Sequence, residues 1–136
     1  MLNTEYLEKC IATLEKSYTC IKSVPEGSID YEMYRNSLLK SFEITLEQSG
    51  KLLKKRLLPY FSSKKAVDSL TFKDLFREAH KHSLINNEEV SRWFKYRDNR
   101  NNTAHDYGKA FAEETLLLID DFLKDVEHLK GIIEHE

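Results

Sequence analysis

The sequence predicts an all-α fold, an antiparallel up-and-down bundle of four main helices plus one shorter helix. Apolar residues recur at spacings of three and four along most of the chain, which places them on one face of a helix. No segment alternates with period two for long enough to indicate a sheet. The 136 residues are 40% hydrophobic and 32% charged, which is typical of a folded helical protein. This length favours one domain covering residues 1–136.

The first two helices are predicted on either side of a turn that contains Pro25 and Gly27. Between Thr4 and Lys22 the apolar positions share one helical face: Leu7, Cys10, Ile11, Leu14, Tyr18 and Ile21. Asp30 is the expected N-cap of the second helix, and Pro59 marks its end. Its apolar stripe is long: Tyr31, Tyr34, Leu38, Phe42, Thr45, Ser49, Leu52 and Leu53.

Three further helices are predicted in the second half of the chain. Thr71 begins the shorter helix, and the pair Asn86 and Glu89 resembles a capping box at the start of the next one. That helix should end near Thr103, because Asn and Thr side chains compete for backbone hydrogen bonds. Gly108 precedes the last helix, whose predicted stripe is Phe111, Thr115, Leu118, Phe122, Val126, Leu129 and Ile133.

Charge is unevenly distributed along the sequence. The formal net charge is −2, yet residues 51–100 carry 13 Lys and Arg against six Asp and Glu, a balance of +7. Part of this excess forms a basic block: Lys51, Lys54, Lys55, Arg56, Lys64 and Lys65. Such a block could attract RNA or an acidic protein. A solvated helix face and loop is an equally good interpretation.

Several classes of protein are excluded by what the sequence lacks. The longest aliphatic run, 116–119, is far shorter than the roughly 18 residues of a membrane span. The charged start from Asn3 to Lys9 does not resemble a signal peptide, so a cytoplasmic location is expected. No Cys and His residues have zinc-binding spacing, and no Gly-rich phosphate loop is present. We therefore expect no bound metal and no cofactor.

The residues best suited to catalysis lie together between Arg100 and Tyr107. Arg presents a planar fork of donors to phosphate oxygens, and His105 can transfer a proton near neutral pH. On a continuous helix, residues five apart are separated by about 140°. A helix end between Arg100 and His105 would let both reach one phosphate. Alternatively, Arg100 forms a salt bridge, His105 caps the helix and Tyr107 packs in the core.

The same Arg and His spacing occurs a second time, at Arg77 and His82. This earlier copy falls in a capped amphipathic helix, and Glu78 follows its arginine directly. We interpret Arg77, His80 and His82 as surface residues. The spacing alone is therefore weak evidence for a site, and the later copy is distinguished by Asn101 after its arginine and by Tyr107 two positions after its histidine.

The later copy resembles the signature of the HEPN superfamily, an Arg followed by four to six residues and a His, in the subtype that ends His-x-Tyr. The segment 42–54 begins Phe-Glu-Ile-Thr-Leu-Glu and is similar to the Phe-Glu-x-Thr-x-Glu segment in the long helix of that subgroup. Arg77-Glu78-Ala79, Leu84-Ile85 and Trp93 follow the same order, so the resemblance covers about residues 30–130. Before the signature Arg, the subgroup often has an acidic residue, and this chain has Asn99.

The resemblance implies a helical bundle that forms a homodimer or higher homo-oligomer, with the signature residues of two chains lining a shared cleft. Many members are metal-independent endoribonucleases that act as toxins. By position, Arg100 and His105 would be the catalytic pair and Asn101 a polar helper. The subgroup is usually paired with a minimal nucleotidyltransferase, an antitoxin that transfers AMP onto the signature tyrosine, here Tyr107.

The resemblance leads to a specific hypothesis about the reaction. His105 would act as general base or acid on a ribose 2′-OH that attacks the adjacent phosphate, and Arg100 would stabilise the developing charge. Arg97 could share this phosphate-binding role, and Lys95 is a further candidate RNA contact. The alternative is a noncatalytic subunit that docks on the nucleotidyltransferase and presents a substrate to it.

Overall fold

Six α-helices make up the described part of the chain, which in this computed structural model comprises the backbone of residues 2–103 and 109–135 and the side chains of residues 2–101 and 112–135. The helices are α1 Glu5–Lys22, α2 Ile29–Leu57, α3 Lys64–Asp68, α4 Phe72–Lys81, α5 Asn87–Thr103 and α6 Lys109–Glu134. A single 3-10 turn, Leu58–Tyr60, extends α2. The all-α prediction is confirmed, and the short α3 was not predicted.

The limits of the helices follow from their caps. The Thr71 side chain accepts a hydrogen bond from the backbone N–H of Asp74, and the Asp74 carboxylate accepts one from the backbone N–H of Thr71. Asn86 and Glu89 form the same reciprocal pair at α5, so both predicted starts are confirmed. The prediction of Asp30 as the cap of α2 is wrong. Ser28 is the cap and accepts from the Tyr31 backbone N–H at 3.1 Å, because the helix begins two residues earlier than expected.

The long helix α2 lies at the centre of the bundle and packs against α1, α4, α5 and α6. Its second half is therefore buried on more than one side, which explains why its apolar surface there is wider than a stripe. Two small polar residues of this half are fully buried, Thr45 and Ser49. Their hydroxyls donate to the carbonyls one turn earlier, at 2.6 and 2.7 Å, so they enter the core without an unsatisfied donor.

An aromatic cluster joins four of the helices. Trp93 of α5 is fully buried and stacks on Phe76 of α4 with ring centroids 4.5 Å apart. Phe122 of α6 lies edge-on to Phe42 of α2 at 4.7 Å and to Tyr96 at 4.9 Å. Edge-to-face pairs at these distances add to the hydrophobic stabilisation from burial. The cluster packs α5 against α4 and α6, and α5 carries the candidate site.

The apolar face of α6 agrees with the predicted stripe over most of its length. Thr115, Phe122 and Val126 are fully buried, as are Leu129 and Ile133. Leu118 is only half-buried, and Ile119 takes its place in the core. The side chain of Phe111 lies outside the described residues. Among the described helices, none combines the length and apolarity that crossing a lipid bilayer requires.

Candidate active site

The Arg100 side chain extends from α5 towards α2, where its guanidinium contacts two carboxylates. Its Nη2 atom is 3.2 Å from Oε1 of Glu43 and 3.5 Å from Oε1 of Glu47. Both glutamates belong to the Phe-Glu-Ile-Thr-Leu-Glu segment of α2. The structure therefore brings together the two segments on which the sequence resemblance chiefly depends.

The spacing on α2 explains why both glutamates reach the same arginine. Glu43 and Glu47 are four residues apart, so they lie above one another on one helical face. Phe42 directly precedes Glu43, Leu46 directly precedes Glu47, and both apolar residues are buried in the core. The rotation of about 100° per residue then turns the two carboxylates towards the rim of the bundle, where α5 passes.

Arg100, Glu43 and Glu47 differ in how far their side chains are exposed, and this difference indicates which of the two ion pairs is stronger. The Arg100 side chain is 28% exposed, that of Glu43 23% and that of Glu47 46%. An ion pair that is partly withdrawn from water is less screened than an exposed one. Glu43 is therefore the stronger of these two partners of Arg100, and Glu47 is the carboxylate that is more easily displaced.

The residue before Arg100 anchors this end of α5 on α6. Asn99 is buried and donates a hydrogen bond from Nδ2 to Oγ1 of the fully buried Thr115 at 2.9 Å. Adjacent residues on a helix differ in direction by about 100°. With Asn99 held against α6, the next side chain must leave the core towards α2. Asn99 thus orients Arg100 without touching it.

Arg97 lies one helical turn before Arg100, and its guanidinium carbon sits 4.9 Å from the centre of the Phe72 ring of α4. Cation–π stacking of this kind holds a guanidinium in place and leaves its edge available to other groups. Arg97 and Arg100 are three residues apart and share a face. The structure therefore places Arg97 where it adds positive charge beside Arg100.

Among the described residues, Lys95 lies apart from this arrangement. Lys95 is exposed and lines a groove of about 320 Å³ between α5 and α6, together with Asp98 and Glu114. It lies five positions from Arg100, on a different side of the helix. Asn101 is exposed. His105 and Tyr107 lie outside the described residues. The structure describes α5 as far as Thr103, near which it was predicted to end, and residues 104–108 lie outside the description.

The earlier Arg and His pair has other partners. Arg77 forms an ion pair with Asp74 within its own helix at 3.0 Å, and the His82 ring stacks on Tyr60 with centroids 3.9 Å apart. The His80 Nδ1 atom lies 3.1 Å from the carbonyl of Ile85. The contacts of Arg77 and His80 are local to α4 and the turn after it, and His82 packs this end of α4 against the 3-10 turn that follows α2.

A buried polar network between α5 and α6 was missed by the sequence analysis. The Asp125 carboxylate of α6 accepts two hydrogen bonds from Arg92, both at 2.8 Å, and one from the Tyr96 hydroxyl. Burial and this carboxylate raise the pKa of Tyr96, and the hydrogen bonds to Asp125 raise the pKa of Arg92. A carboxylate next to Val126 within an apolar stripe was the available signal.

No set of three or more His, Cys, Asp or Glu side chains is arranged to hold a metal ion within the part of the chain that the structure describes. The donors at the candidate site are instead an arginine and two glutamates that already contact each other. This arrangement can bind an anion through the guanidinium once a carboxylate gives way. It provides a preoriented cation at the surface of the bundle.

Comparison with known proteins gives consistent results. The model of a family described as nucleotidyltransferase substrate binding protein like matches residues 2–135. A probable ribonuclease HepT of Haemophilus influenzae is 30% identical over 126 residues, which cover 90% of this chain and 85% of that protein. The solved structure of a nucleotidyltransferase substrate binding domain from Haemophilus influenzae superposes with a TM-score of 0.81 at 28% identity, over 98% of this chain and 100% of that one. A protein of Thermus thermophilus shares the fold, with a TM-score of 0.74 at 24% identity over 93% and 98% of the two chains.

Proposed function

Because the chain belongs to the nucleotidyltransferase substrate binding protein-like family, of HEPN type, we propose that it is a metal-independent endoribonuclease of a toxin and antitoxin pair. The observation that carries this proposal is the contact of Arg100 with Glu43 and Glu47. It joins the Arg of the signature to the glutamates of the other characteristic segment. The name of the Haemophilus relative, a probable ribonuclease, supports the same activity.

In the proposed reaction the nucleophile belongs to the substrate. His105 removes the proton of a ribose 2′-OH, the 2′-oxygen attacks the adjacent phosphorus, and the bond from phosphorus to the 5′-oxygen breaks. The leaving oxygen takes up a proton, and a cyclic 2′,3′-phosphate end remains. Arg100 stabilises the negative charge that develops on the phosphate oxygens, and Asn101 contributes one hydrogen bond. Such cleavage requires RNA and leaves DNA intact.

The surroundings of Arg100 support the further roles that we propose. Arg97 shares its face and adds a second cation for the RNA backbone, whereas Lys95 lies on the side facing α6. We propose that two copies of the chain form a homodimer whose signature residues line one cleft. Glu43 and Glu47 hold the guanidinium ready in the absence of RNA, and a phosphate takes over from the more exposed Glu47.

Regulation by a partner is the second part of the proposal. A minimal nucleotidyltransferase would transfer AMP from ATP to the hydroxyl of Tyr107 and release pyrophosphate. The bound AMP would add negative charge and bulk beside Arg100, which repels and occludes an RNA phosphate. Intact mass after incubation with the partner and ATP should increase by one AMP in the wild type and stay unchanged in Tyr107→Phe. An equal increase in both proteins would contradict this role of Tyr107.

The central test is RNA cleavage by the purified protein in the presence of a chelator. Arg100→Ala and His105→Ala should each lower the rate by about 100-fold or more, as expected for loss of a charge-stabilising donor or a general base. Arg77→Ala and His82→Ala have the same sequence spacing and serve as matched controls that should cleave at nearly the wild-type rate. Equal activity of all five proteins would contradict the proposed site.

The family description itself favours one other function, a noncatalytic subunit that presents a substrate to a nucleotidyltransferase. The two proposals differ in what the isolated protein does. A ribonuclease degrades RNA without a partner and arrests growth when it is expressed alone. A presenting subunit does neither, and it stimulates its partner's nucleotidyl transfer to a third molecule.

A further inference from the structure

A groove of about 540 Å³ opens beside the candidate site, between the second half of α2 and the segment from α3 to α5. Its lining includes five basic side chains, Lys51, Lys54, Lys55, Lys64 and Arg97. The acidic residues in the lining are Glu47 and Asp68. The fold thus gathers most of the basic block of the sequence, together with Arg97 of α5, around one concave surface.

The charge of the groove is available to a ligand. Lys51, Lys55 and Lys64 are exposed, and Lys54 contacts Asp68 at the long distance of 3.9 Å. Ion pairs of this kind at a surface contribute little and are easily exchanged. Lys51 and Lys55 are one helical turn apart, about 6 Å along α2. The rim therefore presents a row of cations that an extended polyanion can follow.

The floor of the groove is apolar and partly aromatic. Leu58, Leu70 and Phe72 contribute to it. Gly50 of α2 lets the Phe72 ring come close to that helix, because a Cβ atom at position 50 would lie 3.0 Å from two carbons of the ring. Glycine thus permits this approach. Arg97 stacks over the same ring at 4.9 Å, and a guanidinium plane is a surface on which nucleobases also stack.

The groove leads directly to Arg100. Glu47 is part of its lining and is also the more exposed of the two carboxylates at Arg100. Arg97 borders the groove one turn before Arg100. A strand that follows the lysines along α2 therefore arrives at the guanidinium that is proposed to bind the scissile phosphate.

We propose that this groove binds single-stranded RNA on one side of the cleavage point, an inference that rests on the proposed ribonuclease function. Grooves that bind single strands combine a basic rim for the phosphates with flat surfaces for the bases, and both features are present here. An acidic peptide would use the lysines but would gain little from the apolar part of the lining or from the flat face of the Arg97 guanidinium, on which a base can stack. RNA also accounts for the position of the groove next to Arg100.

The proposal can be tested by fluorescence anisotropy with a fluorescein-labelled 2′-O-methyl oligouridylate. This probe lacks the 2′-OH nucleophile, so its binding is measured independently of cleavage. The double variant Lys51→Glu/Lys55→Glu should bind the probe at least about tenfold more weakly. The plot of the logarithm of the association constant against the logarithm of the salt concentration should become less steep by about 1.4, as expected for two lost contacts to a single strand. Lys9→Glu/Lys16→Glu reverses two exposed charges on α1 and should leave both quantities unchanged.

Two results would contradict the proposal that the groove binds RNA. In the first, the Lys51 and Lys55 variant binds the oligouridylate with wild-type affinity and salt slope. In the second, a labelled polyglutamate peptide binds through these lysines and the oligouridylate does not. Failure of the ribonuclease proposal has a different signature, because a wild-type protein that binds the oligouridylate through the groove but leaves unmodified RNA intact supports the groove and contradicts catalysis.

Discussion

The carboxylate of Glu43 lies 3.2 Å from the guanidinium of Arg100, a contact between α2 and α5 that spans 57 residues of sequence. It gives Glu43 a role in positioning the arginine. In the proposed reaction the contact also has a cost for RNA binding, because a phosphate that approaches Arg100 would meet the negative charge of the glutamate. These opposing effects lead to a prediction that separates turnover from binding.

Glu43→Gln should lower kcat for RNA cleavage by about tenfold, equivalent to about 1.4 kcal/mol of transition-state stabilisation. The KM should stay the same or fall, since one negative charge near the phosphate is removed. Glu47→Gln is the matched comparison and should lower kcat less, because Glu47 is more exposed and lies farther from Arg100. Steady-state kinetics on a short RNA would measure both. An unchanged kcat in Glu43→Gln would contradict the positioning role.

Thr115→Val should destabilise the protein by about 1–3 kcal/mol, because the buried Asn99 amide loses its acceptor. Urea unfolding followed by circular dichroism would measure this change. Thr19→Val, at an exposed position of α1, should stay within about 0.5 kcal/mol of the wild type. Equal stability of the two variants would show that the contact between Asn99 and Thr115 does not anchor the end of α5.

Asp125→Asn should lower the free energy of unfolding by about 2–3 kcal/mol, since a buried carboxylate that receives bonds from Arg92 and Tyr96 loses its charge. This is less than the roughly 3–5 kcal/mol expected when a fully buried ion pair is broken, because the Arg92 side chain is 35% exposed. Asp121→Asn, one turn earlier and exposed, is the control. The change is measured as the shift in urea midpoint at neutral pH. A shift of the same size in both variants would contradict the prediction.

Tyr96 should make stability sensitive to alkaline pH. Burial and the neighbouring Asp125 raise the pKa of Tyr96 above its usual value of 10.0, so the folded state favours the neutral phenol. The stabilisation is therefore complete below pH about 10 and is lost as the pH rises further towards the folded-state pKa. The stability difference between wild type and Tyr96→Phe should be constant from neutral pH to about 9 and should shrink above about 10. Urea titrations across this range would test it, and a constant difference up to pH about 11 would contradict it.

Local features of the fold could be predicted from the sequence. The helix start at Thr71, the capping box at Asn86 and the apolar spacing of α1 depend on contacts within a few residues, and the structure confirms them. The cap of α2 was predicted at the wrong residue because Asp30 and Ser28 both have side chains that suit the position. The short α3 was missed because five residues are too few for a periodic pattern.

The candidate site could be predicted in part. The Arg of the signature and the glutamates of α2 were found through a family pattern, but nothing in their spacing indicated that Arg100 contacts Glu43 and Glu47. The side of α5 on which each basic residue lies was equally hidden, and so Lys95 and Arg97 were proposed together although they face different grooves. His105 and Tyr107 remain predictions.

The sequence by itself determined that the chain is helical and where most helices begin, because caps and apolar periodicity act over one or two helical turns. It also indicated the family, because the signature residues lie close together in the sequence. Only the tertiary structure decided which faces of α2 and α5 meet. That packing placed two carboxylates at Arg100, buried Asp125 between Arg92 and Tyr96, and gathered distant lysines around one groove. The physical reason is that such contacts depend on how whole helices rotate to bury their apolar surfaces, and this is settled by the bundle as a unit.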